Sequence, residues 1–342
     1  MDIPTRCAHP TVRGRSTYTV LGFVGYAVGN ALGIILVSAW GLTLRDRLVV
    51  FLLPPLAFIV VVFAARVILR EERIVFYQVA GAAVSSVLVV GWIAGAHVAR
   101  CLDVTVAGIG TFLAFGRLGC FSVACCHGRP ARFGVVYGPA HVKVGFWSRW
   151  SGRRLWPVQL VESAVTTTLV VLALIVGWTT PGLPALIYVV GYGACRFFLE
   201  TRRGDWTRPH AYGLSEAQLT SIVALTACVA WKPSLVTIAA FALVVGSAIT
   251  IAATRKRREL AAPPHLHELE RLCSAASEAR QETTLGLMVS CHQLPDGRSD
   301  WVMSSNHPAW SEAQAHRIAA MLWPKHEVVA GHAAGVLHVL TP

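Results

Sequence analysis

The sequence predicts an all-α polytopic membrane protein of seven to eight transmembrane helices, followed by a small C-terminal soluble α+β domain. Hydrophobic residues make up 54% of the 342-residue chain and charged residues only 14%, against roughly 25% charged in soluble domains. Eight apolar runs are long enough, or nearly so, to cross a hydrocarbon core that takes about 20 helical residues. The charge also divides sharply. Through Arg258 there are 25 Lys and Arg against 9 Asp and Glu, whereas from Glu259 onward there are 5 against 9.

The runs fall at 18–40, 48–69, 74–99, 104–122, 158–178, 183–199, 214–231 and 235–254. Little more than Lys232-Pro233 separates the last two, which form either a tight hairpin or one interrupted pair. The expected organisation is an N-terminal tail over 1–17, a transmembrane domain over 18–256 with an interfacial head at 127–157, and a soluble appendage over 257–342. The opening MDIPTRCAHP lacks the apolar core of a signal peptide. Basic residues lie dispersed between the spans, which suits anionic headgroups or topology and argues against nucleic acid. With eight spans and the N-terminus inside, most of them face inward, as the positive-inside rule asks; the reverse orientation stands as the alternative. Arg255-Lys256-Arg257-Arg258 is a separate cytoplasmic signal.

Arg117 closes the run LDVTVAGIGTFLAFGR, and Arg196 interrupts LPALIYVVGYGACRFFLE. An arginine inserted at bilayer depth costs at least ~2.5 kcal/mol, so it normally faces a bundle interior or a water-filled cavity. Two of them point to a polar site inside the membrane part, and guanidinium is well shaped for phosphate. A snorkelling position near a helix end is the alternative for each.

Four local sequences carry chemistry. The first runs Gly116-Arg117-Leu118-Gly119-Cys120-Phe121 and is followed by Cys125-Cys126-His127-Gly128; its glycines allow close backbone approach. In the second, Pro157 begins a helix that places Gln159 and Glu162 on one face. The third places Arg196, Glu200 and Arg203 together. The fourth, Gly213-Leu214-Ser215-Glu216, offers Ser215 as an N-cap.

In this order the motifs resemble the prolipoprotein diacylglyceryl transferase family, from about Tyr18 to Trp231. Gly116 to Phe121 matches that family's Gly-Arg-x-Gly-Asn-Phe signature except that Cys120 replaces asparagine. Pro157, Gln159, Leu160 and Glu162 match its Pro-x-Gln-Leu-x-Glu element, and Arg196, Phe197, Glu200 and Arg203 its Arg-Phe-x-x-Glu-x-x-Arg element. Asp103 falls where such proteins often carry aspartate. Val123 and Cys125 stand about where a second asparagine and a glutamate are usual. The histidine-glycine motif of the third span is missing, and Tyr77 is its nearest positional substitute. The cysteines give the chain the look of a divergent Gly-Cys-Phe…Cys-Cys-x-Gly branch.

The resemblance implies a multi-pass enzyme of the bacterial plasma membrane. Such an enzyme moves the diacylglyceryl group of phosphatidylglycerol, or a similar anionic phospholipid, to the lipobox cysteine of a prolipoprotein. Arg117 and Arg196 would clamp the phosphate, and Glu162 would orient an arginine or take part in proton transfer. Gly116, Gly119, Cys120, Gln159, Glu200, Arg203, Tyr77 and Asp103 would line the substrate site. No metal or organic cofactor is required. The alternatives are a paralogue that binds phospholipid without transferring it, and a membrane transporter; the inverted repeats that favour transport are not visible.

Cys120, Cys125, Cys126 and His127 follow C-x4-C-C-H, which is not a standard zinc spacing. Three readings stand for them: apolar packing, a reactive thiol lowered by Arg117 and Arg129, and a metal site. The connection from His127 to Trp156 mixes aromatics with bases, as a segment at headgroup level does and as a solvated basic loop also does.

The tail carries eight of the thirteen histidines without ligand spacing. A helix is expected over 265–281, and Leu285, Leu287, Val289 and Cys291 alternate as a half-buried strand. Pro295-Asp296-Gly297 turns into a second strand at Trp301-Val302-Met303. Ser311 and Gln314 begin a helix to about Leu322, and two short strands follow near Val328 and Val336. An interaction or regulatory role is expected for this module.

Overall fold

In the computed structural model the described residues are 2–3, 8–70, 76–205, 210–275, 278–323, 325–333 and 335–342. The chain forms two compact units. One comprises Met1–Arg203 with Ala217–Val245, the other Gly204–Glu216 with Gly246–Pro342.

Three short strands, β1 (Asp2–Ile3) and the hairpin β2 (Thr11–Val12) to β3 (Arg15–Ser16), precede the first helix. Arg13 and Gly14 both hold positive φ, the pattern of a two-residue hairpin turn. Helices α1 (Thr17–Ala39), α2 (Leu44–Ala64, continued by a π-turn over Ala65–Leu69), α3 (Phe76–Ile93) and α4 (Val98–Ser122) follow. The expected start of the third span, at 74–75, lies outside the described residues. After the head come α6 (Val158–Gly177) and α7 (Leu183–Glu200), then α8 (Glu216–Trp231) and α9 (Leu235–Ala253).

Among the described residues seven helices are long and apolar enough to cross a membrane, and Glu216–Trp231 is a shorter apolar helix. The two final runs are thus separate helices. Ser215 lies in the strand residue pair immediately before α8. The chain is a multi-pass membrane protein.

Small residues set how closely the helices approach. Gly25, Gly29 and Gly33 recur every fourth residue along α1 and are all buried, a spacing that lets helices pack backbone to backbone. A Cβ on Gly29 would stand 3.0 Å from the Gly108 carbonyl of α4. The start of α2 is fixed by a capping box between Thr43 and Asp46. Asp46 also accepts the His97 backbone N–H at 2.8 Å and faces His97 Nδ1 at 2.9 Å, tying α2 to the start of α4. Pro54 and Pro55 lie inside α2, as a membrane helix with neighbouring partners tolerates.

The segment between α4 and α6 is a folded cap. It contains β4 (Pro130–Val136), the short helix α5 (Pro139–Val142), a 3₁₀ turn at Ser148–Trp150 and β5 (Arg154–Leu155). Strand β4 pairs antiparallel with β5 and parallel with β1. Val135, Tyr137, Phe146, Trp150 and Leu155 are buried in it, with edge-on and tilted ring contacts joining Tyr137, His141, Phe146 and His127. Arg132, Lys143 and Arg154 remain exposed. A solvated basic loop would have no such core.

In the second unit, the hairpin β6 (His210–Ala211) to β7 (Leu214–Ser215) turns at Tyr212 and Gly213, both with positive φ. Helices α10 (Arg255–Glu259) and α11 (Pro263–Ser274) lead to β8 (Gln281–Glu282), β9 (Leu287–Gln293) and β10 (Ser299–Ser305). Then come α12 (Glu312–Leu322), β11 (Glu327–Ala330) and β12 (Val336–Thr341). The five strands form one antiparallel sheet ordered β11-β12-β10-β9-β8. Alternation brings Leu287, Val289 and Cys291 to the face that also buries Trp301, Met303, Leu337 and Val339. Ser311 caps α12 by accepting from the Gln314 N–H at 3.3 Å. The helix expected over 265–281 ends at Ser274, because Gln281 and Glu282 pair with β9 instead; residues 276–277 lie outside the described residues.

Candidate functional site

Glu162 is the hub of the site. It lies on the second turn of α6 and is completely buried. Its Oε2 meets Arg117 Nε of α4 at 3.0 Å, and its Oε1 faces Arg196 Nε of α7 at 3.3 Å. The Tyr192 hydroxyl donates to the same Oε1 at 2.8 Å. Arg196 Nε also donates to the Tyr77 hydroxyl of α3 at 2.5 Å, with the guanidinium over the tyrosine ring. One turn further along α7, Glu200 pairs with Arg196 Nη2. Arg203, just past the helix, is buried and interacts electrostatically with Glu162.

Local packing explains why these side chains converge. Arg117 lies five residues before the end of α4, and Ser163 Oγ donates to the Ala114 carbonyl at 2.9 Å, locking α6 against α4. Tyr192, Arg196 and Glu200 follow one another at four-residue intervals, so α7 presents them as one stripe. Neither arginine snorkels: Arg117 is 6% exposed and Arg196 0%. Charges so desolvated are tolerated only when paired. Among the described residues the cluster gathers Arg117, Arg196 and Arg203 about Glu162 and Glu200. Arg196 Nη1 is buried with no hydrogen-bond partner among the described residues.

The remaining residues singled out in the sequence take different places. Gly119 lies against α1, where an added Cβ would stand 3.1 Å from the Tyr18 Cα, while Gly116 faces open space. Gln159 is buried, and its amide nitrogen donates to the Cys125 carbonyl at 2.8 Å. Its Oε1 has no partner among the described residues. Cys120 is buried in the last turn of α4. Asp103 is not brought to the cluster. Its carboxylate accepts the backbone N–H groups of Gly182 and Ala185, at 2.9 and 3.0 Å, and so caps α7 at its other end.

The base of the cap closes over the same end of the bundle as the arginines. Arg129 donates through its backbone N–H to the Arg202 carbonyl and through Nε to the Arg203 carbonyl. Gly128 bridges to Arg203, and any side chain there would collide with the Trp156 carbonyl. His127 is buried, with Nδ1 donating to the Gly128 carbonyl at 3.0 Å. Tyr192 was not anticipated from sequence, although its place four residues before Arg196 is the signal that finds it.

The family's sequence profile, described as prolipoprotein diacylglyceryl transferase, matches residues 17–232 and so covers all four helices that build the cluster. The chain belongs to the prolipoprotein diacylglyceryl transferase family. Among curated proteins, the phosphatidylglycerol–prolipoprotein diacylglyceryl transferase of Clostridium tetani (strain Massachusetts / E88) is 30% identical over 132 residues. That alignment takes in 36% of this chain and 49% of the clostridial enzyme, so the chain spans about half the length of the relative it matches.

Proposed function

We propose that the protein is a diacylglyceryl transferase of the bacterial plasma membrane. Its donor is phosphatidylglycerol or a similar anionic phospholipid, and its acceptor is the cysteine thiol of a prolipoprotein. The observation that carries the reading is the buried Arg117–Glu162–Arg196 constellation, two guanidiniums held by one carboxylate inside an apolar bundle. Guanidinium is well shaped to hold a phosphodiester, and Arg196 Nη1 has no hydrogen-bond partner among the described residues.

In the reaction the thiol sulfur forms a bond to the glycerol carbon of the diacylglyceryl group as the C–O bond to phosphate breaks. Glycerol phosphate departs and carries the thiol's proton. Charge grows on the departing phosphate, so donors fixed beforehand around it stabilise the transition state. Arg117 and Arg196 supply those donors, while Glu162, Tyr192 and Tyr77 hold the guanidiniums still. Glu200 and Arg203 extend the polar stripe toward the cap. Asp103 serves by fixing the start of α7.

The cysteine at position 120 favours a second reading, in which the lipid clamp persists without lipoprotein transfer. Complementation of a strain depleted of its own diacylglyceryl transferase separates the two. Rescue by wild type, with diacylglyceryl-modified lipoprotein in the mass spectrum and none with Arg117→Ala at equal expression, is the expected result. No rescue by a correctly inserted wild-type protein that still binds phosphatidylglycerol would leave only the second reading.

A further inference from the structure

We infer that Cys120, Cys125 and Cys126 form a three-thiolate site for a thiophilic d10 cation, Zn(II) or Cu(I). Their three sulfur atoms all lie within 4.8 Å of one another. The spacing along the chain conceals this, because a gap of four residues and then none matches no familiar ligand pattern. The backbone makes the triangle. Ala124 and Cys126 both adopt left-handed conformations, with φ of 59° and 56°, a region that residues with a Cβ seldom enter. These two reversals turn the chain back at once, so that Cys125 and Cys126 meet Cys120 at the end of α4. The Gln159 amide holds the Cys125 carbonyl and keeps the turn in place.

Charge supports the same assignment. Hydrogen bonds from Cys120 and Cys125 act most strongly on the Cys126 sulfur, and Arg203 and Arg117 add to them electrostatically. Binding of Zn(II) to three thiols releases three protons and leaves one net negative charge, which suits two guanidiniums nearby. No electron is transferred. An all-sulfur donor set selects soft cations over Mg(II) or Mn(II). His127 is turned away onto the Gly128 carbonyl, and its ring packs against Phe146. Water would complete a zinc site, whereas Cu(I) is content with three sulfurs. The inference goes beyond the transfer reading, since its readout is metal content and not lipid modification.

The test uses the full chain, purified in detergent under reductant and stripped with a chelator. It is loaded with Zn(II), and separately with Cu(I) under anaerobic reducing conditions, and metal surviving gel filtration is counted by mass spectrometry. The expected result is about one ion per chain for at least one of the two metals. Retention should fall to background in Cys120→Ser, Cys125→Ser and Cys126→Ser, and persist in Cys228→Ser and Cys291→Ser. Because a serine variant could misfold, alkylation of the wild type provides a second reading. Metal should slow alkylation at positions 120, 125 and 126 by at least ~10-fold, since a coordinated thiolate is masked as a nucleophile, and leave the other cysteines unchanged. Failure of wild type to retain either metal, equal retention by the three variants, or no protection of these thiols would each overturn the assignment.

Discussion

Glu162 and Arg196 face each other at 3.3 Å between α6 and α7, and neither side chain has any exposed surface. In a soluble interior such a pair is weak evidence for stability, because desolvation offsets the attraction. Here the pair does not stand alone. Glu162 divides its two oxygens between two arginines, so one carboxylate on α6 sets the separation of cations that belong to α4 and α7. In the proposed transfer, a phosphate approaching the cluster would meet donors already in position, which is what a growing negative charge requires.

Removal of Glu162 should therefore cost both fold and activity. Glu162→Ala leaves two buried guanidiniums short of their shared partner, and breaking a buried pair costs about 3–5 kcal/mol. Thermal unfolding of the detergent-solubilised protein should show a marked fall in midpoint. Glu162→Gln keeps an acceptor oxygen, so its midpoint should lie between those of Glu162→Ala and wild type. Equal stability of wild type and Glu162→Ala would mean that the carboxylate does not hold the arginines.

In the proposed transfer Tyr192 acts through Glu162, as a positioning residue. Tyr192→Phe deletes the 2.8 Å hydrogen bond to Oε1 and little else. The loss of one such bond is worth about 1 kcal/mol, or roughly 2–3 kcal/mol if the charge on Glu162 counts in full. Transfer measured with a synthetic lipobox peptide should slow by about tenfold, in kcat more than in KM. An unchanged kcat would show that Glu162 needs no third anchor.

The polar part of the site was legible because charge inside an apolar run is rare. Arg117, Glu162 and Arg196 announce themselves that way, and the stripe of α7 follows from helical periodicity. The sharing of Glu162 was not legible, since it depends on three helices meeting far apart in sequence. Asp103 shows the opposite failure. It matches the family by position, but fourteen residues at about 1.5 Å rise put roughly 20 Å between it and Arg117. Its carboxylate serves the α7 N-terminus, where unpaired backbone N–H groups need an acceptor. The cysteine triangle was hidden by two left-handed residues that no spacing rule foresees. In the tail, alternation revealed β9 and β10, whereas the end of α11 depended on a strand pairing outside its own periodicity.

The α1–α4 contact should be sensitive to any side chain larger than hydrogen at position 29. A Cβ there would stand 3.0 Å from the Gly108 carbonyl oxygen, a backbone atom with nowhere to swing. Gly29→Val forces the helices apart, and overpacking of this kind costs about 1–3 kcal/mol. Gly22→Val is the matched control, because its Cβ would meet nothing within 4 Å. The midpoint of thermal unfolding should fall for the first and hold for the second. Indistinguishable midpoints would remove the close approach of these two helices from the fold.

Acid should loosen the second unit before it reaches any carboxylate there, through His265. The ring is buried, with Nδ1 donating to the Leu260 carbonyl at 2.7 Å and Nε2 accepting from the Thr283 hydroxyl at 2.9 Å. That arrangement fits the neutral imidazole, and burial pushes its pKa below the ordinary 6.5. Between the depressed value and 6.5 the unfolded chain binds more protons than the folded one. Stability is therefore full above about 6.5 and falls as pH drops through that window, by at most ~1.4 kcal/mol per unit. Hydrogen exchange in peptides from 263–274 and 287–293 should accelerate between pH 7.5 and pH 5.5 after correction for the intrinsic rate. His265→Gln, which cannot take up the proton, should flatten that dependence even if it lowers stability at both values. An equally steep response in the variant would place the acid sensitivity elsewhere.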